Sequence, residues 1–153
     1  IGGNPIGCEK PGWEFNFGND VEAANTVLHC GGDIWLIPNN VYGTMHIGFG
    51  EIQRRIAPYG EIGRLLYENL ISFYETENAS WSAGESWSLG DSPAVGVTLE
   101  PNCGSFMYCK APEVQEDTSY RYPENSPQIR VYTSINSRFI IEDFISKLQI
   151  LYG

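Results

Sequence analysis

The sequence predicts an α/β protein whose mainly parallel sheet is flanked by helices. An amphipathic stretch at 20–29 is followed by Ile34-Trp35-Leu36-Ile37, a continuously apolar run typical of a strand covered on both faces. A further strand at 129–134 precedes a final amphipathic helix at 138–151. Helices that alternate with buried strands pack against a parallel sheet, so these segments indicate the fold class.

Length and composition predict one globular domain spanning residues 1–153. A chain of 153 residues is long enough for one hydrophobic core. Its hydrophobic fraction of 42% and aromatic fraction of 13% favour a folded chain over a disordered one. We find no internal repeats.

The charge balance argues against partners that carry phosphate. Nine basic and 19 acidic residues give a formal net charge of −10, which repels nucleic acid backbones, so we expect no nucleic-acid partner. No run approaches the roughly 20 apolar residues of a membrane helix, and no signal peptide is evident, so we expect no membrane partner and a cytoplasmic protein.

The four cysteines, Cys8, Cys30, Cys103 and Cys109, form no C-x-x-C pair and have no His at zinc-ligand spacing. We interpret them as reduced thiols. A disulfide between Cys103 and Cys109 is the alternative in an exported protein.

The first half of the chain contains clear start and stop signals. Residues 1–18 are rich in Gly and Pro and are predicted to form a loop after a buried strand. Asn19 or Asp20 can cap the helix at 20–29, which Gly31-Gly32 ends. The strand at 34–37 stops at Pro38-Asn39-Asn40.

The middle of the chain carries the best helical pattern. Residues 41–50 are predicted to be a loop and 51–56 a short helix. A helix from 61 to about 77 follows. Its apolar stripe consists of Ile62, Leu65, Leu66, Leu70, Phe73 and Tyr74.

The remaining segments are predicted from composition and pattern. Residues 78–90 form a polar loop with Trp81 and Trp87, which either cover a ligand pocket or attach the loop to the protein body. The other predicted elements are a short helix from about 92 to 99, a strand at 105–109 and an irregular connection at 110–128.

Glu14 and Asn16 stand at the entrance to the first helix. Side chains two residues apart in extended backbone share one face, so this carboxylate and amide can hold a ligand together. The same pattern also fits an ordinary cap between loop and helix.

Three segments, in this order and spacing, resemble the C-terminal half of the inosine-uridine-preferring nucleoside hydrolase family. They are Gly2-Gly3, then Trp13-Glu14-Phe15-Asn16 with Asp20-Val21-Glu22-Ala23-Ala24, and later Gly90-Asp91-Ser92-Pro93-Ala94-Val95. The likeness covers nearly the whole chain. It implies a Rossmann-like α/β fold with ligands at the carboxyl ends of the strands.

The resemblance implies a Ca²⁺-dependent hydrolase that cleaves the N-glycosidic bond of ribonucleosides in purine and pyrimidine salvage. By this resemblance Asp91 is a Ca²⁺ ligand, and Glu14 and Asn16 hold ribose hydroxyls. Asp91 is also well placed to cap the helix that follows it. The family commonly forms dimers or tetramers, so a homo-oligomer is expected.

The departures from the family limit this assignment. Cys8 stands where the family often has Asn, with Asn4 as a possible substitute, and Gly90 replaces the His that protonates the leaving base. We hypothesise that Trp81 or Trp87 instead stacks on the base. No catalytic residue is identified in this chain.

Ile1-Gly2-Gly3 is typical of a strand end, so we interpret the chain as the C-terminal portion of a longer domain whose N-terminal part is missing. The family's Asp-rich loop, with the general base and most Ca²⁺ ligands, is then absent, and the fragment alone should hydrolyse nothing. One alternative is a catalytically degenerate nucleoside- or ribose-binding module. The other is a relative that acts on a different N-riboside.

Overall fold

The structure is a computed structural model that describes residues 1–8, 11–82 and 84–153. The predicted loops at 1–18 and 78–90 include Glu9, Lys10 and Ala83, which lie outside the described residues.

The structure describes seven α-helices, and the three amphipathic segments of the sequence are among them. They are α1 Phe15–Gly18, α2 Val21–Leu28, α3 Asn39–Tyr42, α4 Phe49–Arg55, α5 Gly60–Tyr74, α6 Ser92–Leu99 and α7 Ser137–Tyr152, with a 3₁₀ turn at Glu77–Ala79. The Asp20 carboxylate accepts a hydrogen bond from the Ala23 N–H and so caps α2, as predicted.

The strands form one three-stranded sheet and two small antiparallel pairs. They are β1 Trp35–Leu36, β2 His46–Gly48, β3 Ser86–Ser88, β4 Gly104–Lys110, β5 Glu113–Val114, β6 Tyr120–Arg121 and β7 Gln128–Ile135. The larger sheet has the order β1-β7-β4, and the small pairs are β2-β3 and β5-β6.

The larger sheet is mixed. Strand β1 runs parallel to β7, with Trp35 opposite Arg130, whereas β4 runs antiparallel to β7, with Lys110 opposite Gln128. The structure therefore confirms helices around a sheet, but a mainly parallel sheet is not confirmed in the described residues.

The start of the chain lies alongside β1. The Gly2 N–H donates to the Ile37 carbonyl at 3.0 Å, and the Asn39 N–H donates to the Gly3 carbonyl at 2.9 Å. These two bonds place Asn4 and Asn39 at the same edge of the sheet. Polar side chains from both segments therefore converge there.

Buried apolar side chains hold the helices on the sheet. The cluster beneath α6 and α7 consists of Ile37, Val41, Met45, Val97, Cys103, Tyr132 and Ile140. On the side of α2 the cluster consists of Leu28, Leu36, Ala111, Val114, Ile129 and Val131. Both clusters draw on alternate residues of β1 and β7, as expected for a sheet covered on two faces.

Four predicted loops contain regular structure. Residues 1–18 include α1, residues 41–50 include β2, residues 78–90 include β3, and the connection at 110–128 includes the β5-β6 pair. Strand β2 pairs with β3, with His46 opposite Ser88, and β5 pairs with β6. Such short strands depend on pairing with distant residues, which a local pattern does not reveal.

All four cysteines are free thiols, as interpreted from the sequence, and Cys103 is buried. The alternative disulfide is ruled out by β4, which holds the chain extended from Gly104 to Lys110. Its rise puts Cys109 roughly 17 Å from Gly104, far beyond the Cα separation a disulfide spans.

Among the residues that the structure describes, no helix combines the length and the apolar character needed to cross a membrane.

Two glycines, one inside a helix and one just after a helix, have open space around them and differ in backbone conformation. Gly50 lies in α4 with ordinary φ, whereas Gly31 follows α2 with φ +76°. Gly50→Ala should raise the free energy of unfolding by about 0.5–1 kcal/mol, because Ala loses less backbone entropy on folding. Gly31→Ala should lower it by about 1–2 kcal/mol, because Cβ disfavours the left-handed region. Urea unfolding of both variants measures the difference; equal effects would contradict this assignment.

Candidate functional site

Glu14 is buried and caps α1. Its Oε1 accepts from the Asn16 N–H at 3.1 Å and its Oε2 accepts from the Phe17 N–H at 2.9 Å. The side chain is only 6% exposed, so the cap fixes the carboxylate where the loop enters the helix. Each oxygen keeps a lone pair for a further donor.

Asn4 is the second buried polar residue at this edge. Its amide nitrogen donates to the Gly12 carbonyl at 2.9 Å and to the Thr118 carbonyl at 3.3 Å. Its Oδ1 accepts from the Asn39 amide at 3.4 Å. Asn4 therefore ties the chain start, the loop before Glu14 and the segment after β1 together.

Thr118 supports both residues from the turn between β5 and β6. Its hydroxyl accepts from the Glu14 N–H at 2.8 Å and donates to the Gly12 carbonyl at 3.3 Å. The residue is fully buried and has φ +63°, a left-handed conformation that non-glycine residues rarely adopt. The turn thus holds a strained residue whose hydroxyl is committed to the Glu14 loop.

Tyr120 closes the bottom of this cluster. Its hydroxyl donates to the Asn4 carbonyl at 3.0 Å. A Cβ on Gly3 would lie 2.1 Å from that hydroxyl, so only glycine lets the backbone approach here. Burial, and then the negative charge of Glu14, raise the pKa of the Tyr120 hydroxyl well above its usual range.

This raised pKa predicts a loss of stability at alkaline pH. An unfolded tyrosine ionises near roughly pH 10 while folded Tyr120 stays protonated, so its contribution is full below that pH and falls as pH rises toward the folded pKa. Above pH ~10 the wild type should lose about 1.4 kcal/mol per pH unit more than Tyr120→Phe. Urea unfolding at a series of pH values measures both slopes, and parallel curves would contradict the prediction.

Two exposed amides form the rim above this buried cluster. Asn16 donates to the Ile1 carbonyl at 3.4 Å, and Asn39 donates to Asn4. Both bonds are long, so both amides can exchange them for bonds to a ligand. The structure thus brings the predicted residues Asn4, Glu14 and Asn16 to one place and adds Asn39.

Asp91 lies beyond the other end of α3. It occupies the N-cap position of α6, but its side chain makes no capping hydrogen bond. The pKa of the Tyr42 hydroxyl is raised by burial and then by the charge of Asp91, which places this carboxylate near the C-terminal end of α3. The preceding Gly90 packs against the Tyr42 ring.

Trp81 and Trp87 belong to an aromatic cluster on α5. Their ring centres are 5.1 Å apart, and Trp87 lies edge-on to Phe73 at 5.6 Å. Trp81 is 58% exposed, whereas Trp87 is half-buried in β3. Trp87 therefore helps attach the segment to the protein body, and Trp81 presents its ring to solvent.

The metal ligands in the described ranges are too few for a complete site. No group of three or more His, Cys, Asp or Glu side chains there could hold a metal ion. Ca²⁺ takes six to eight oxygen ligands, of which Asp91 would supply one or two. The residues present do not by themselves fit a calcium site.

Sequence reasoning missed Asn39, Thr118 and Tyr120. Asn39 had a usable signal, because it is polar and directly follows a buried strand, where ligands of α/β sheets bind. Thr118 lies 104 residues from Glu14 and Tyr120 lies 116 residues from Asn4, and no local pattern links them.

Comparisons with known proteins identify the fold. No family model matches the sequence, and no curated protein sequence matches it significantly. Among solved structures the chain is similar to a plant nucleoside hydrolase, with a TM-score of 0.73 and 16% sequence identity over 87% of this chain. The match covers 46% of that structure, so the chain spans less than half its length. The chain therefore has a nucleoside hydrolase-like fold.

Proposed function

We propose that this chain is the C-terminal portion of a ribonucleoside hydrolase and supplies one wall of its ribose site. The supporting observation is the convergence of Asn4, Glu14, Asn16 and Asn39 where two neighbouring segments of the sheet end. In α/β sheets of this kind, ligands bind outside the carboxyl ends of the strands.

In this proposal polar residues bind the ribose and aromatic residues bind the base. Ribose hydroxyls donate to the free lone pairs of Glu14 and accept from the Asn16 amide, with Asn4 and Asn39 behind them. Such contacts orient the sugar and stabilise positive charge that develops on it during bond cleavage. The exposed ring of Trp81 is available to stack on a base, with Trp87 beneath it.

Ca²⁺ belongs to the proposal as the group that supplies an activated water in such hydrolases. Asp91 would contribute one ligand, and the remaining ligands would come from sequence beyond these 153 residues. We therefore expect the isolated chain to bind Ca²⁺ weakly and to leave the N-glycosidic bond intact. The proposal further includes a preference for inosine and uridine, a cytoplasmic role in nucleoside salvage, and assembly of the protein into a homo-oligomer.

The second candidate function is a nucleoside- or ribose-binding module without catalysis. It is favoured by Gly90, where the family's general acid would stand, and by the commitment of both Glu14 oxygens to the cap of α1. Hydrolysis by a complete protein that carries this chain separates the two functions, because both predict binding.

Calorimetric titration of the chain with inosine, uridine and free ribose tests the shared binding step. Asn16→Ala should weaken ribose-dependent binding about tenfold, since one hydrogen bond to a ligand is lost. Asn69→Ala is the matched control, because Asn69 is an exposed amide on α5. Equal affinities of the two variants, or no binding by the wild type at millimolar ligand, would refute the proposed ribose wall.

A further inference from the structure

Strand β4 forms an open, apolar edge of the larger sheet. The strand order β1-β7-β4 leaves one side of β4 unpaired in the part of the chain that the structure describes. Phe106, Met107 and Tyr108 are 37%, 43% and 58% exposed. A seven-residue edge with exposed apolar side chains is a template for pairing with another strand.

The opposite side of the sheet is bordered by the start of the chain, where Gly2 and Gly3 bond to Ile37 and Asn39. A Cβ on Gly2 would lie 2.8 Å from the Phe17 ring, and one on Gly3 would lie 2.5 Å from it, so this short segment is packed closely by that ring. Strand β4 instead offers seven residues of extended backbone. The open side of β4 is therefore the better pairing surface.

We propose that β4 pairs with β4 of a second copy of this chain in an antiparallel, two-fold symmetric dimer. This inference deepens the assembly of copies that belongs to the proposed function, but it does not depend on ribose binding, so sedimentation and calorimetry can fail separately. A dimer of this type joins the two three-stranded sheets into one continuous sheet.

The backbone of β4 offers the bonds that this pairing needs. The Ala111 N–H donates to the Pro127 carbonyl at 2.8 Å, so Ala111 faces β7. In an antiparallel ladder every second residue faces the same neighbour. Phe106, Tyr108 and Lys110 therefore direct their N–H and C=O groups to the open edge.

The side chains of β4 are self-complementary about Met107. An axis through Met107 sets Phe106 opposite Tyr108 of the second copy, and does so twice, which gives two aromatic cross-strand pairs. The same register sets Lys110 opposite Gly104, so the two lysines stay at opposite ends. No register-matched pair carries like charges.

The aromatic side chains are already held in place. The Arg130 guanidinium lies 4.1 Å from the Trp35 ring centre and 4.5 Å from that of Phe106, and it donates to the Tyr108 hydroxyl at 2.9 Å. Side chains that are ordered before association lose less entropy on binding. The side chains of Phe106 and Tyr108 are therefore ordered before a second copy binds.

Charge favours a second copy at this edge although the whole chain carries −10. Strand β4 has Lys110 and no acidic residue. The Cys103 N–H donates to the Glu100 carbonyl at 2.9 Å, so Glu100 lies beside the residue that precedes Gly104. The proposed register brings Lys110 of each copy to this acidic end of the other.

Sedimentation equilibrium tests the dimer. At a chain concentration of about 100 µM the wild type should show twice the chain mass of 17.1 kDa. Lys110→Glu should raise the dimer dissociation constant about tenfold, and the double variant Lys110→Glu/Glu100→Lys should return it to within about threefold of wild type. This reversal separates pairing at β4 from general charge effects.

Phe106→Asp should abolish the dimer, whereas Leu151→Asp should leave it intact, because Leu151 is equally apolar and 72% exposed but lies on α7. Far-UV circular dichroism checks that each variant is folded. A monomeric wild type, a dimer that survives both Phe106→Asp and Lys110→Glu, or a charge swap that fails to restore pairing would each overturn the proposal.

Discussion

Asn4→Asp is expected to lower the free energy of unfolding by about 3 kcal/mol, the largest effect of a single atom exchange in this site. The substitution keeps the size of the side chain but replaces its amide nitrogen by an oxygen. Gly12 and Thr118 then lose the donor to their carbonyls, and a carboxylate is placed where only 4% of the residue is exposed.

Asn39→Asp is the matched control for this effect. Asn39 makes one long bond to Asn4 and lies at the exposed rim, so the same chemical change should cost about 0.5 kcal/mol or less. Urea unfolding of the two variants at neutral pH measures the difference. If both variants were equally stable, Asn4 would not be the buried tie between the three segments.

Gly90→Ala is expected to lower the free energy of unfolding by about 2 kcal/mol. A Cβ at this position would lie 2.1 Å from the Tyr42 Cδ2 atom, so the ring must move. Removing the ring should relieve the strain. In the double variant Gly90→Ala/Tyr42→Ala, the cost should be at least about 1 kcal/mol less than the sum of the two single costs.

This double-mutant cycle bears on the proposed reaction. In the proposed function a general acid is expected at the position of Gly90, but the Tyr42 ring fills the space that any side chain there needs. Additive costs would mean that the Tyr42 ring moves aside at little cost and that position 90 could hold a larger residue. Strong coupling would support a site in which another group serves the leaving base, or in which catalysis is absent.

Glu14 can cap a helix and bind a ligand at the same time. Its carboxylate caps α1, which is the ordinary reading of the sequence, and the same cap holds it beside the amides at the rim. A group fixed by backbone donors is oriented before a ligand arrives. The cap therefore supports the proposed binding role.

Most helices could be predicted because their information is local. Apolar residues at spacings of three and four marked α2, α5 and α7, and a capping Asp20 with Gly31-Gly32 marked the ends of α2. The buried strand at 34–37 was recognisable as an unbroken apolar run, although only Trp35–Leu36 pair as β1. Short strands such as β2 and β5 were missed, because they exist only through their partners.

By itself the sequence determined the α/β character, the core-facing helices and the polar residues at the entrance to the first helix. Tertiary structure decided which of these residues meet: it joined Asn4 to Glu14 through Thr118 and packed Trp81 against Trp87. The reason is physical. Helix periodicity and caps act within a few residues, whereas a buried hydrogen-bond network draws its donors and acceptors from segments over 100 residues apart.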